Sequence, residues 1–419
     1  MDKNIIKQII LSQQEFIGSI KLQTRNVAFE ENSNYVLVGM RRAGKSYILY
    51  QHIQQMVAKG HDMEEMLFVN FEDERIADMK KEDLHLVIDA YRELFGHKPI
   101  VFLDEIQNVD GWEHFARRLA DEKYRVYITG SNAHMLSREI SSTLGGRYLT
   151  KEISPFSFGE YLTYRGVTLP AHWTLSPLRA DVARMFADYF YYGGLAEVFD
   201  IQDKKSWIQS LYQKILYSDI VLRKGVRNER SLRLLIRKLA DSVMQPTAIK
   251  RMQDILQGDG TKITRETIAN YLDYLHESYL TFGISGFTDS VSLRETIKKH
   301  YFYDNGILNL FLFQPETKLL ENLVAIELYK RYGDRLHYYN RNVEVDFCVP
   351  EEGLLVQVCY RMAEESTRLR ETGALTKVGK YLKAKRCVIV TYDQDGSLPC
   401  PELGMDIEII PAYRFLLMQ

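Results

Sequence analysis

Residues Gly39-Met40-Arg41-Arg42-Ala43-Gly44-Lys45-Ser46 match G-x-x-x-x-G-K-[ST], and their flanks restrict what they can become. The apolar run Tyr35-Val36-Leu37-Val38 precedes them and reads as a short buried strand. Tyr47-Ile48-Leu49-Tyr50-Gln51-His52-Ile53 follows and reads as the opening of a helix. Strand, glycine loop and helix in that order is the context in which this motif cradles phosphate. Gly39 and Gly44 let the backbone curl so that successive N–H groups converge on anionic oxygens, and the helix start adds its partial positive charge. Gly39 through Tyr47 is therefore the candidate nucleotide-binding segment. Within it Lys45 would reach the β- and γ-phosphates, and the Ser46 hydroxyl would ligate Mg2+.

A second signature lies about sixty residues on, at Ile100-Val101-Phe102-Leu103-Asp104-Glu105. Four apolar residues ending in two carboxylates describe a central parallel strand whose C-terminal end meets a ligand crevice. Alone, such a run is only a strand before a solvated turn; after a glycine loop it supplies the other half of a nucleotide site. Asp104 would hold the Mg2+ shell, and Glu105 would orient and deprotonate an attacking water. A third strand, Val126-Tyr127-Ile128-Thr129, ends in Gly130-Ser131-Asn132. Asn132 or Ser131 suits a sensor of the γ-phosphate or the water, with Thr129 less suited. Gly145-Gly146-Arg147 then places an arginine where it would stabilise transition-state charge, in its own chain or in a neighbouring subunit.

At 419 residues the chain exceeds one typical core, so two to four domains are expected. A net charge of −2 predicts neither nucleic acid nor membrane as a partner, so such binding would need a local patch. No apolar run reaches the roughly 18–20 residues of a membrane span. The start, Met1-Asp2-Lys3-Asn4-Ile5, does not read as a secretory signal. Cys348, Cys359, Cys387 and Cys400 show no metal-type spacing and read as reduced thiols, which suits a cytoplasmic protein. From Tyr35 to about Phe158 apolar runs alternate with helical periodicity, the pattern of an α/β domain with a parallel sheet. Strands are predicted at 35–38, 67–71, 100–103 and 125–129, with a fifth near 148–153.

In that order, Gly-Met-Arg-Arg-Ala-Gly-Lys-Ser, Phe-Leu-Asp-Glu-Ile-Gln, Thr-Gly-Ser-Asn, Gly-Gly-Arg-Tyr-Leu and Ile153-Ser154-Pro155-Phe156-Ser157-Phe158-Gly159-Glu160-Tyr161-Leu162 resemble a prokaryotic AAA-type, archaeal-type-like P-loop ATPase family. Its members carry a C-terminal domain of uncertain function. The resemblance implies Mg-ATP as ligand and a P-loop ATPase core over residues 1–162. It also implies a helical lid over 163–228, to which Gly193-Gly194 would belong, and a winged helix-turn-helix over 229–300. Helices are predicted there at 231–243, 247–256 and 264–280. Residues 226–300 carry twelve Lys/Arg against nine Asp/Glu, a net +3, and the candidate recognition helix sets Arg265 against Glu266, Asp273 and Glu277. Duplex readers offer several basic groups to phosphates, so this favours an unidentified protein partner over DNA or RNA.

In residues 301–419 a helix at 319–331 is followed by strands at 336–340, 343–349, 354–360 and 386–392. This order resembles the PD-(D/E)xK nuclease fold, α/β and restriction-endonuclease-like. Glu327 (or Glu321) and Asp346 match its first two metal-binding positions. Gln357-Val358-Cys359 stands where an acid and a lysine are needed, which implies a degenerate domain unless a relocated lysine such as Lys377 or Lys380 serves. The expected function is an ATP-binding, Mg-dependent ATP-hydrolysing switch or motor coupling nucleotide state to its C-terminal domains. Alternatives are a nucleic-acid processing factor and a slow-hydrolysing scaffold. If Arg147 acts in trans, a homo-oligomer follows.

Overall fold

Residues 1–132, 142–258, 262–288 and 290–418 are described in the computed structural model of the protein. The chain divides into two compact units: Met1–Ser154 with Glu277–Tyr279, and Pro155–His276 with Leu280–Gln419. The expected lid, winged-helix and last segments thus lie in one unit, apart from Glu277–Tyr279.

The first unit opens with α1 (Lys3–Ser19), capped by Asp2, whose carboxylate accepts from Asn4 N–H. Ile6, Ile9, Ile10 and Ile17 recur at helical spacing and are its buried face. Five strands follow: β1 (Asn34–Val38), β2 (Met66–Asn70), β3 (Ile100–Asp104), β4 (Val126–Gly130) and β5 (Tyr148–Glu152). They form one parallel sheet in the order β2-β3-β4-β1-β5. Helices α2 (Lys45–Ala58), α3 (His85–Phe95) and α4 (Trp112–Asp121) connect them. The first four strands are nearly all apolar because helices cover both faces of such a sheet. Predicted strands and observed ones differ by a residue or so at each end. The order matters for chemistry, because β4 sits between the strand that feeds the glycine loop and the strand that ends in carboxylates.

After a short helix over Phe158–Tyr164, the second unit continues with α5 (Leu178–Tyr192), α6 (Lys204–Lys214) and a π-helical turn over Ile215–Leu222. There Arg223 and Asp219 pair at 4.0 Å, an ion pair of the ordinary structural kind. Helices α7 (Glu229–Asp241), α8 (Ile249–Gly258) and α9 (Arg265–Glu277) accompany a three-stranded antiparallel sheet in the order β6-β8-β7, where β6 is Thr247–Ala248, β7 Thr281–Ser285 and β8 Ile297–Phe302. Then come α10 (Glu316–Tyr332), β9 (His337–Asn340), β10 (Glu344–Val349), β11 (Leu354–Val358), α11 (Glu365–Leu382), β12 (Arg386–Thr391), β13 (Gly396–Cys400) and β14 (Met405–Pro411). The strands make a mixed six-stranded sheet, β13-β14-β12-β11-β10-β9. The four cysteines are free and buried. No helix among the described residues is long and apolar enough to cross a membrane.

Of the aromatic run before Gly193-Gly194, Tyr189 and Phe190 are core and Tyr191 and Tyr192 are half-buried; Phe190 meets Tyr392 edge-on at 5.2 Å. The glycine pair packs within its own unit. A Cβ on Gly194 would lie 2.2 Å from Phe156 O, and one on Gly193 2.2 Å from Asp304 Oδ2.

His300, buried on β8, stacks on His276 of α9 with centroids 5.6 Å apart. Burial holds both imidazoles neutral, helped for His300 by His276 and for both by Lys298; their pKa values fall to about 3 and about 4. Unfolded, each takes up a proton near pH 6.5. Between pH 6.5 and 4 the unfolded chain therefore binds more protons than the folded one, and stability falls as pH falls. For His300 the loss is on the order of 3 kcal/mol. Urea midpoints should drop across that window, and His300→Gln should flatten the slope; a midpoint constant from pH 6.5 to 4 would contradict the assignment.

Candidate functional site

The glycine loop is pinned from behind. Gly39 has φ +147°, and a Cβ there would lie 2.1 Å from Ile153 O, a backbone atom that cannot yield. Gly44 caps α2 in the left-handed region at φ 92°, and Arg42 is left-handed at φ 67°. Such turns curl the loop into an anion-binding nest at a helix N-terminus. Lys45 is buried, its ammonium donating to Gly39 O and Met40 O at 3.1 Å each and standing 3.5 Å from Glu105 Oε1. Met40 and Ala43 are buried, and Arg41 donates to Glu72 Oε1 at 2.7 Å. Tyr47 is half exposed on α2, its ring 5.5 Å from that of Tyr50.

The two carboxylates meet this loop as the sequence predicts. Ser46 Oγ donates to Asp104 Oδ1 at 3.0 Å, and Thr129 Oγ1 donates to the same oxygen at 2.5 Å. Thr129 Oγ1 also accepts from Glu105 N–H at 2.9 Å. This residue, the less suited sensor on sequence grounds, positions both acids. Glu105 stands in the left-handed region at φ 52°, a strained conformation for a side-chain-bearing residue that is met most often at functional sites. Gln107 Nε2 donates to Glu105 Oε2 at 2.5 Å and lies 3.4 Å from Ser131 Oγ. Ser131 and Asn132 are buried just beyond β4.

The charges are pushed apart. Burial, then the Glu105 charge, raises Asp104 to about 7 against the opposing pull of Thr129, Ser46 and Lys45. Burial also pushes Glu105 up, but Lys45, the Gln107 amide and Arg41 outweigh it and hold the carboxyl below its usual range. Asp104 Oδ2 is buried with no hydrogen-bond partner among the described residues. An orphaned buried carboxylate oxygen beside a serine hydroxyl fits a hard cation whose remaining ligands are phosphate and water. The residues present therefore suit Mg2+.

Arg147 is not brought to this end of the sheet. Its neighbour Tyr148 pairs with Asn34 at the start of β1, whereas the glycine loop follows the end of β1. Arg147 Nε donates to Asp121 at 2.6 Å, and its backbone oxygen accepts from Asn34 Nδ2. Two residues near Lys45 escaped the sequence reading. Gln107 lies inside a quoted motif, and its signal was a polar side chain two positions past the acid. Arg25 had none: its guanidinium donates to Ala43 O at 2.8 Å and Ser154 O at 3.0 Å, bracing the loop from a segment before β1.

Residues 31–162 match a family model described as AAA domain, and residues 183–318 match one described as a domain of unknown function. An uncharacterized protein of Methanocaldococcus jannaschii, MJ1544, is 31% identical over all of this chain and 96% of its own length. The chain belongs to its family. Its first unit carries an AAA domain of the P-loop ATPase type. An uncharacterized protein of Haemophilus influenzae is 29% identical, covering 79% of this chain and 83% of its own. Among solved structures, the Walker-type ATPase paby2304 of Pyrococcus abyssi overlaps 71% of this chain and 99% of its own at 13% identity and a TM-score of 0.40, a loose likeness.

The second unit holds another charged cluster. Lys299 of β8, fully buried, has its ammonium 3.3 Å from Glu321 Oε1, 3.0 Å from Glu344 Oε1 and 3.3 Å from Asp346 Oδ1. Of the two glutamates open on sequence grounds, Glu321 faces Asp346; Glu327, six residues on, pairs with Arg331 at 2.9 Å. Gln357 Oε1 accepts from Asp346 N–H at 3.2 Å, and Cys359 Sγ donates to Arg361 O. Of the candidate relocated lysines, Lys380 pairs with Glu402, and Lys377 is exposed on the rim of the cleft that Glu321 and Asp346 line.

Proposed function

We propose that the first unit binds Mg-ATP and hydrolyses it, and that this cycle drives a switch or motor acting through the second unit. The observation that carries the reading is the meeting of Ser46 with Asp104 and of Lys45 with Glu105 at one end of a parallel sheet. Lys45 holds the β- and γ-phosphates, and the nest from Gly39 to Ser46 accepts the rest of the chain of oxygens. Ser46 and Asp104 hold Mg2+, which when bound neutralises charge on the transferring phosphoryl group. Glu105 accepts the proton of the attacking water, Gln107 fixes its carboxylate, and Asn132 or Ser131 senses the γ-phosphate. Arg147 contributes only if it enters the site of a second copy.

We read residues 163–228 as a lid, the elements from α7 to β8 as a winged helix, and the six-stranded part as a degenerate PD-(D/E)xK-like domain. The acidic candidate recognition helix favours a protein partner over DNA. Lys45→Ala should weaken ATP binding by roughly 100-fold, because it removes the charge-assisted phosphate contact. Titration of a fluorescent ATP analogue checks this, and wild-type affinity in the variant would remove the basis of the reading. ATP turnover with and without duplex DNA then separates the partner classes. A salt-sensitive stimulation by DNA would favour the nucleic-acid alternative.

A further inference from the structure

The fold resemblance of the C-terminal segment implies a divalent metal, and the side chains present do not fit one. A metal needs carboxylate oxygens free to approach it at about 2.0–2.6 Å. Asp346 Oδ1 faces the Lys299 ammonium, and its Oδ2 accepts the Val358 N–H at 2.9 Å. Glu344 Oε1 is 3.0 Å from the same ammonium. Glu321 Oε1 accepts from Tyr301 OH at 2.7 Å and faces Lys299 as well. Glu321 Oε2 is buried without a partner among the described residues, and one such oxygen is not a ligand set. No group of three or more His, Cys, Asp or Glu side chains among the described residues is disposed to hold a metal ion.

We propose that this cleft carries its own cation: the Lys299 ammonium takes the place among Glu321, Glu344 and Asp346 that a divalent metal would take, making a latent metal site that substitution of Lys299 alone opens. Glu321, Glu344 and Asp346 line a cleft of about 910 Å3, and Lys299 is fully buried among them. Exclusion comes from charge and occupancy. Three carboxylates brought together need a compensating cation, and a buried ammonium at 3.0–3.3 Å from all three supplies it. A divalent ion entering would have to displace it from a pocket it cannot leave cheaply. The inference is independent of the nucleotide site.

The test is Mn2+ binding followed by electron paramagnetic resonance on the nucleotide-free full chain, in an Asp104→Asn background that removes the candidate metal carboxylate of the first unit. With Lys299 present, Asp346→Asn should leave the number of Mn2+ sites unchanged. Lys299→Ala should gain a site at least ten-fold tighter than any in the parent, and adding Asp346→Asn should abolish it. Lys299→Met, which fills the same volume, gives the same comparison if the alanine variant does not fold. An Asp346-dependent Mn2+ site with Lys299 in place would overturn the proposal, whether or not the lysine variants fold. So would well-folded lysine variants that gain no site.

Discussion

Glu105→Gln should lower ATP turnover by about 100-fold or more while leaving nucleotide binding within a few-fold of wild type. Glutamine is nearly isosteric, and the 2.5 Å bond from Gln107 Nε2 can still reach its side-chain oxygen. Lys45, 3.5 Å away in the wild type, keeps its own bonds to Gly39 O and Met40 O. What disappears is the proton acceptor. Asp104 is no substitute, because Ser46 and Thr129 both donate to its Oδ1 and its proposed part is to hold Mg2+. Single-turnover hydrolysis beside analogue binding separates the two effects. Wild-type turnover would show that another group deprotonates the water.

The residues this prediction uses are legible because each lies at or just past the end of an apolar strand, or at the start of the helix that follows its glycine loop. Strand, loop and acid are local patterns, and a parallel sheet aligns strand ends, so Lys45, Ser46, Asp104 and Glu105 meet by topology. Arg147 shows the limit of that logic. It precedes its strand instead of following it, so the same alignment carries it to the opposite edge, beside Asn34. Lys299 shows another limit. It lies 22 residues before Glu321 and 47 before Asp346, in a strand that pairs with β6 and β7 and not with the strand bearing Asp346. No spacing rule connects those positions; only packing does. The choice between Glu321 and Glu327 was open for the same reason, since six residues on a helix leave it undecided which face meets the sheet. Strand β13, with Pro399 inside it and only Cys400 buried, carries too weak an apolar pattern to be predicted.

Asp304→Ala should cost the second unit on the order of 3–5 kcal/mol. The side chain is buried and acts only as an acceptor. Oδ1 takes the N–H groups of Gly306 at 2.9 Å and Ile307 at 3.2 Å, and Oδ2 takes that of Gly194 at 2.8 Å. It therefore ties the turn after α5 to the chain leaving β8, where Asn305 Nδ2 also donates to Phe190 O at 2.9 Å. Alanine would leave three buried donors without partners, each worth about 1–3 kcal/mol, with partial relaxation keeping the sum below their total. Gly193 and Gly194 would offer no side chains to fill the space. Asparagine keeps one acceptor oxygen but turns an N–H2 toward one of those donors, so Asp304→Asn should lie between the wild type and alanine. Equal urea midpoints for wild type and Asp304→Ala would mean that the Gly193-Gly194 turn is held by its contacts with Phe156 and α5, and that the carboxylate is dispensable to it.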